Sequence, residues 1–282
     1  MKIAVVVPAH NEEPFIGILI NSLRAQTRQP DQVVVVSDHS TDNTVEAARK
    51  AVENHPNFTV IERKSSAKHE PGSKVIRAFQ EGLQQVEPDF DVVVKLDADL
   101  DLPPNYFDWL ETVFKNPKVG IAGGQAAIEV NGRWEVERLT DNDHVRGAFK
   151  AYSKNCFEKI GGLKAAMGWD TVDELLAKFY GFDVLVNENL IVKHLKPTGF
   201  SYNKKAAKSQ GEAFYSLGYG FLLTAIASLK LALRKKKPTL LFPYLTGFLA
   251  ASLSAKAKLV TAEQARFIKS YRWKKIKQKL FG

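Results

Sequence analysis

Four short apolar runs, each separated from the next by a stretch of helical periodicity, constrain this chain more than any other feature. They are Lys2–Val7, Val33–Val36, Phe58–Ile61 and Val92–Leu96. Each is too short for a helix and reads as a strand, and Lys2–Val7 and Val33–Val36 suit strands buried on both faces. After the first run, Phe15, Ile16, Leu19, Ile20 and Leu23 form a helical stripe, with Asn11 placed to cap it and Pro14 in its first turn. Asp42 or Asn43 is placed to cap a helix running to Val52. Ser73–Val86 carries Val75, Ile76, Phe79 and Leu83 on one side, and Pro103–Phe114 follows the fourth run as a helix. This order predicts an α/β fold, a Rossmann-like, mostly parallel central sheet with helices on both faces.

The regularity fades after Val119. Ile121–Val130 and the stretch around His144–Tyr152 read as further strands, with antiparallel pairing open to them, and Val184–Leu195 contains another. Asp170–Tyr180 reads as a helix ended by Gly181, and from Ser201 the pattern is helical, basic and apolar. At about 150 residues per domain, 282 residues suit one large domain or two modest ones. The composition shift near Pro197–Gly199 sets the expected boundary, giving residues 1–199 and 200–282. An apolar content of 45% with 25% charged residues excludes a disordered or collagen-like chain. The single cysteine, Cys156, cannot form an internal disulfide, and the opening MKIAVVVPAHNEE lacks the long apolar run of a signal peptide. A reducing, cytoplasmic setting is the expectation.

The formal charge of +9 is the sum of two opposed parts. Residues 1–199 hold 23 Lys and Arg against 29 Asp and Glu, a net −6, whereas residues 200–282 hold 17 against only Glu212 and Glu263, a net +15. The two parts therefore need separate explanations.

In open α/β sheets ligands bind beyond the carboxyl ends of the strands. Asp38 follows the second run, and Asp97, Asp99 and Asp101 follow the fourth. Alternate residues of an extended segment face one side, so Asp97 and Asp99 can converge. Two such carboxylates repel unless a proton or cation joins them, and a hard divalent ion such as Mg²⁺ or Mn²⁺ suits their oxygens and a substrate's phosphates. The alternative is a solvated, helix-capping turn before Pro103. The first strand ends in Pro8-Ala9-His10-Asn11 with no glycine-rich phosphate loop, which argues against a dinucleotide-binding oxidoreductase and a P-loop NTPase. Lys74, at a helix start, is a candidate phosphate donor, or else a solvated surface lysine.

Taken in order, these segments resemble family 2 glycosyltransferases, enzymes of the glycosyltransferase-A fold. The resemblance rests on Val5-Val6-Val7-Pro8-Ala9-His10-Asn11-Glu12-Glu13, on Val36-Ser37-Asp38-His39-Ser40-Thr41-Asp42-Asn43-Thr44, on Leu96-Asp97-Ala98-Asp99, and on Gly161-Gly162 followed by Trp169-Asp170-Thr171-Val172-Asp173-Glu174-Leu175. It covers about residues 1–199 and implies a nucleotide-sugar-dependent catalytic domain there. It further implies that Pro8, Ala9, His10 and Glu12 contact the donor's nucleotide, that Asp38 binds base or ribose, and that Asp97 and Ala98 lie near ribose or donor sugar. Asp99 would hold the metal. His194, at the end of the last strand of this part, is a candidate to complete the metal site, or is structural. The resemblance also implies an acidic general base and, for a single displacement, inversion at the anomeric carbon. The family usually places Glu-Asp about eleven residues before a helix-ending glycine. Counting back from Gly181 puts Asp170 at the Asp position and Trp169 where Glu is usual, with Asp173 and Glu174 one turn on. Asp170 is the first choice and Asp173 the second; an N-cap role for Asp170 is the structural alternative. Among other histidines His39, His55, His69 and His144 have weaker cases. Arg146, Gly147 and Trp134 are candidates for the substrate-lining segments.

In the basic part, residues 213–229 and 238–255 carry no charge, and Lys230 and Arg234-Lys235-Lys236-Lys237 lie between them. Both runs fall short of the roughly 20 residues that a transmembrane helix needs, and Pro238 and Pro243 interrupt the second. Amphipathic helices lying on an anionic membrane surface fit best, ahead of a soluble helical subdomain and of true spans. No nucleic-acid motif accompanies the charge, so no nucleic-acid partner is expected.

The expected protein is a metal-dependent, inverting, hexosyl-transferring enzyme. It would move a sugar from a nucleotide-sugar donor to a glycan, lipid-linked or small-molecule acceptor, at the cytoplasmic face of a membrane. A nucleotidyltransferase, or a non-catalytic sugar-nucleotide or membrane-binding module, is the alternative.

Overall fold

The computed structural model describes residues 1–66, 70, 72–137, 144–196 and 204–281. The boundary segment 197–199 and His69 lie outside these residues. The chain forms two compact units. One comprises residues from Met1 to Ala165 together with the strand that begins after Tyr180; the other combines Ala166–Phe179 with the C-terminal helices.

The first unit is built on the predicted alternation. Strands β1 (Ile3–Ala9), β2 (Gln32–Asp38), β3 (Phe58–Arg63) and β4 (Val92–Leu96) alternate with helices α1 (Glu13–Arg24), α2 (Thr44–Ala51) and α3 (Ser73–Leu83). β1 pairs in parallel with both β2 and β4, and β2 with β3. β1 and β4 are buried along their whole length, as expected for strands covered on both faces. Gly82 lets α3 lie close on the sheet, since a Cβ there would strike the side chains of Val6 and Val36.

After β4 come β5 (Leu100–Asp101), α4 (Tyr106–Val113), β6 (Val119–Val130), β7 (Arg133–Val136), β8 (Phe149–Ser153), α5 (Lys154–Lys159), α6 (Trp169–Phe179) and β9 (Asp183–His194). The sheet order is β3-β2-β1-β4-β8-β6-β9-β5, with β7 paired to β6. β8 runs antiparallel to β4 and β6, as its sequence left open, while β6 and β9 are parallel. The short β5 and the hairpin strand β7 have no apolar run and carry no advance signal.

One of the two expected caps differs and the other is found. Asn11 does not cap α1. Glu12 holds that position without a side-chain bond, and Asn11 sits in the left-handed region at φ 55°. Its Oδ1 accepts the Thr41 N–H at 2.8 Å, tying the β1–α1 turn to the β2–α2 turn. The N-cap of α2 is Asn43, also without a side-chain bond, whereas Asp42 Oδ1 accepts the Thr44 N–H at 3.1 Å. The start of α4 is served from afar by the buried Gln26, whose Oε1 accepts the N–H groups of Tyr106 and Phe107 at 3.1 and 3.3 Å.

The second unit is helical. It contains α6, α7 (Lys204–Ser216), α8 (Phe221–Arg234), a 3-10 turn (Pro238–Leu240), α9 (Leu241–Leu253) and α10 (Ala262–Phe281). α7 and α9 cross with backbones in contact. A Cβ on Gly211 would collide with the Tyr244 carbonyl, and one on Gly247 with the Lys208 carbonyl. α6 meets α10 through an edge-on Phe179–Phe267 pair at 5.5 Å and through Lys178 over the Tyr271 ring. Pro243 falls in the first turn of α9, where a missing N–H costs nothing. Among the described residues no helix is long and apolar enough to cross a membrane.

Candidate active site

Because β1, β2 and β4 are parallel, their carboxyl ends open on one edge of the sheet, and β1 has a neighbour on each side. A cavity of about 480 Å³ lies there. It is lined by Pro8, Ala9, His10 and Glu12 from the end of β1, by Asp38 from β2, and by Asp97, Ala98 and Asp99 from the end of β4. Glu70, Gly72, Lys74, Val75 and Ala78 close it from the side of α3. Nine residues singled out in the sequence are thus brought together. Glu70, Gly72, Val75 and Ala78 were not anticipated, because a helix start seen end-on has no chemical signature.

The acidic side is held from two directions. Asp97 N–H donates to the Ala148 carbonyl at 2.7 Å, and its carboxylate pairs with the ammonium of Lys95. That ammonium is buried at the end of β4 and also donates to the Gly147 carbonyl at 2.9 Å. Asp99 is fixed by β9, since β5 pairs antiparallel with it in the register Leu100↔His194, and Leu195 N–H donates to the Asp99 carbonyl at 2.8 Å. This register sets His194 Nε2 at 3.1 Å from Asp99 Oδ2.

Asp97, Asp99 and His194 each offer a ligand atom, and these atoms lie within 4.8 Å of one another. Burial alone would raise the Asp99 carboxyl, but the hydrogen bond and charge of His194 outweigh it and hold the pKa below the usual carboxylate range. Burial likewise disfavours the imidazolium, but Asp99, helped by Asp97, outweighs that and holds His194 above its ordinary pKa. The other ring nitrogen, Nδ1, is buried without a hydrogen-bond partner among the described residues. Two carboxylates and one imidazole, each offering one ligand atom, fit a divalent cation, with oxygen ligands favouring Mg²⁺ or Mn²⁺.

The opposite wall is ordered by charge pairs. Asp38 Oδ1 accepts from Arg63 Nη1 at 2.8 Å, and Arg63 Nε donates to Glu81 Oε2 at 2.7 Å. The Asp38 carbonyl accepts from His10 Nδ1 at 2.7 Å, which assigns the proton to that nitrogen. Glu12 pairs with Lys196 at 2.5 Å. Burial pushes the Glu12 carboxyl up to about 7; the Lys196 ammonium opposes this shift, and the charges of Asp99 and Asp97 add to it. Lys74 lines the cavity while its ammonium donates to the Ser66 carbonyl at 2.9 Å. Arg63, Lys95 and Lys196 escaped sequence reading because each acts through a partner distant in sequence or hidden inside a strand.

The acidic segment lies on α6, in the other unit. Its first helical residue is Trp169, and the Gly168 carbonyl accepts from Thr171 and Val172, so Asp170 belongs to the first turn and is not the cap. Asp173 and Glu174 are buried. Trp134 is an exposed residue of β7 with Lys193 Nζ 5.5 Å above its ring, and Arg146 pairs with Glu137 at 2.8 Å.

The model of glycosyl transferase family 2 matches residues 4–167, more than half of the chain. The chain belongs to glycosyl transferase family 2. Over 118 residues it is 31% identical to the undecaprenyl-phosphate 4-deoxy-4-formamido-L-arabinose transferase of Yersinia enterocolitica, covering 40% of this chain and 33% of that protein. Over 120 residues it is 32% identical to the dolichol-phosphate mannosyltransferase of Pyrococcus furiosus, covering 41% and 31%. The chain thus spans about a third of the length of the curated relatives it matches. Among solved structures, a mannosyltransferase from Pyrobaculum calidifontis in complex with GDP-Man and Mn²⁺ superposes with TM-score 0.60 at 17% identity, over 98% of this chain and 80% of that one. Residues 1–349 of S. aureus TarS, in complex with UDP-GlcNAc, give 0.58 at 20% identity, over 95% and 78%. These likenesses establish the glycosyltransferase-A fold for this family 2 chain. The family match contains every residue that lines the cavity, whereas Asp170, Asp173, Glu174 and His194 fall beyond it.

Proposed function

We propose that this chain is a metal-dependent, inverting glycosyltransferase that moves a hexosyl group from a nucleotide-sugar donor to a glycan, lipid-linked or small-molecule acceptor. One observation carries the reading. One cavity at the parallel strand ends is lined both by Pro8, Ala9, His10, Glu12 and Asp38 and by Asp97 and Asp99, the two carboxylates that His194 joins in a possible metal-binding group. Asp38, steadied by Arg63, accepts hydrogen bonds from base or ribose, and Lys74 turns from Ser66 to a donor phosphate. Asp97, Asp99 and His194 hold Mg²⁺ or Mn²⁺. When bound, the cation neutralises the charge that gathers on the departing diphosphate.

For a hydroxyl acceptor the base is Asp170, with Asp173 and Glu174 as its acidic neighbours. It takes the hydroxyl proton as the oxygen bonds to the anomeric carbon, while the bond from that carbon to the phosphate oxygen breaks. The names of the relatives, which are undecaprenyl- and dolichol-phosphate transferases, support a lipid-linked acceptor. Such an acceptor is met at a membrane surface, which accords with a peripheral, cytoplasmic-face enzyme whose residues 200–282 attach it.

The test is a panel of nucleotide sugars with Mn²⁺ or Mg²⁺. Release of nucleoside diphosphate from one donor, requiring metal and lost in Asp99→Ala with the fold retained, is the expected result. Release of pyrophosphate from a nucleoside triphosphate would assign nucleotidyl transfer instead, and no binding of any nucleotide sugar with any metal would reject the reading.

A further inference from the structure

In the helical unit the large apolar side chains exposed to solvent all belong, among the described residues, to α8 and α9. They are Phe221, Leu222, Leu229 and Leu233 on α8, and Phe242, Leu249 and Leu253 on α9, with Phe242 73% and Leu253 88% exposed. Leu222, Leu229 and Leu233 stand at i, i+7 and i+11, and so do Phe242, Leu249 and Leu253. At 3.6 residues per turn this spacing makes one stripe on each helix. The buried face of α8 is the less apolar one, containing Thr224, Ser228 and Ala232 beside Leu223. A helix that turns small and hydroxylated residues inward and leucines outward inverts the pattern of a water-facing helix.

The charge around the stripes has one sign. Lys230, Arg234, Lys235, Lys236 and Lys237 lie at the end of α8 and in its connection to α9, and no acidic residue occurs between Glu212 and Glu263. With 14 and 13 residues, the helices extend about 20 Å, short of the roughly 30 Å hydrocarbon core. A second copy of this chain is a poor occupant, because a twofold contact would set this cationic segment against itself.

We propose that the exposed stripes of α8 and α9 dock this protein on an anionic phospholipid bilayer, with the leucines and phenylalanines entering the headgroup–acyl boundary and Lys230 and Arg234–Lys237 binding lipid phosphates. This specifies the attachment surface within the membrane placement proposed above. It assigns insertion to α8 and α9 and leaves the more basic α10 in water.

The experiment is flotation of the full chain with vesicles of phosphatidylcholine containing phosphatidylglycerol, and with phosphatidylcholine alone. The wild type is expected to float with the anionic vesicles. Leu229→Gln/Leu233→Gln/Leu253→Gln alters only exposed positions and leaves the net charge unchanged; it should bind at least about tenfold more weakly, with an unchanged circular dichroism spectrum. Arg234→Gln/Lys236→Gln/Lys237→Gln should bind more weakly and lose the preference for anionic lipid. Equal binding by the leucine variant and the wild type would overturn the proposal, assigning attachment to charge alone. No flotation of the wild type would also overturn it, as would a wild-type dimer that the leucine variant turns into a monomer. Flotation needs no donor, so failure of the transferase reading would show in the nucleotide-sugar panel and leave this result untouched.

Discussion

His194 Nε2 lies 3.1 Å from Asp99 Oδ2, although 95 residues separate them in the chain. The contact exists because β5 and β9 pair in the register Leu100↔His194, so the end of the last strand meets the turn after β4. If these two residues and Asp97 hold a cation, removing the imidazole should weaken it without unfolding the sheet. His194→Gln is expected to reduce Mn²⁺ affinity by at least about tenfold. Titration calorimetry on the purified chain measures this, and unchanged affinity would remove His194 from the metal site.

Lys95 offers a second test, on stability. Its buried ammonium serves both the Asp97 carboxylate and the Gly147 carbonyl. Lys95→Met fills similar volume but strands both acceptors, and should cost about 1–3 kcal/mol in urea unfolding. Mn²⁺ affinity is expected to fall as well, because Asp97 loses the partner that orients it.

Glu12 gives the metal-free protein a pH dependence of calculable sign. Burial pushes its carboxyl up to about 7 in the folded chain, from the 4.5 of an unperturbed glutamate. Between those values the folded state holds a proton that the unfolded state has lost, so stability falls as pH rises through this window. His194, whose pKa is raised on folding, acts in the same direction at the upper end: its contribution is full below its unfolded value and is lost as pH rises through the folded one. In EDTA the melting temperature should therefore decline from pH 5 to pH 8, and Glu12→Gln should flatten the lower part of that decline.

Gly211 and Gly247 carry a prediction for the helical unit. At the crossing of α7 and α9, each would drive a Cβ into a backbone carbonyl of the other helix. Backbone cannot yield as a side-chain tip can, so Gly247→Ala should destabilise by about 1–3 kcal/mol or more. Limited proteolysis within α7–α9 and thermal unfolding both read this, and a neutral result would mean the helices stand further apart.

What could be read in the sequence divides along physical lines. β1 and β2 announced themselves because burial on both faces requires unbroken apolar runs, as in Val33–Val36, whereas the edge strand β3 is only partly buried and showed a weaker run. The cavity residues were equally legible, because Asp38, Asp97 and Asp99 directly follow such runs and strand ends are where open sheets bind ligands. Partners that arrive from elsewhere were not. Arg63 reaches Asp38 from β3, Lys196 reaches Glu12 from beyond β9, and Lys95 looks on paper like a polar flaw in a buried strand. Asn11 misled for a related reason: its side chain satisfies a neighbouring turn instead of the helix it precedes. In the C-terminal part the charge and the apolar runs were visible, but which face of α8 turns outward depends on packing that composition does not encode.

The acceptor can be distinguished through Asp170. A hydroxyl has to lose a proton as it attacks, so a base within reach contributes about 10²–10⁴-fold to the rate. A lipid phosphate has already lost its proton at neutral pH, so its oxygen attacks without such help. With a hydroxyl acceptor, Asp170→Asn should lower kcat by about that factor, and the rate should regain a steep dependence on hydroxide. With a phosphate acceptor the same variant should retain activity to within about tenfold, and any loss should appear in KM. Steady-state rates for both acceptor types, measured with one donor and saturating Mn²⁺, separate the cases. If Asp173→Asn carries the loss instead, the base lies one turn further along α6, and if neither variant loses activity on a hydroxyl acceptor, the base is not on that helix.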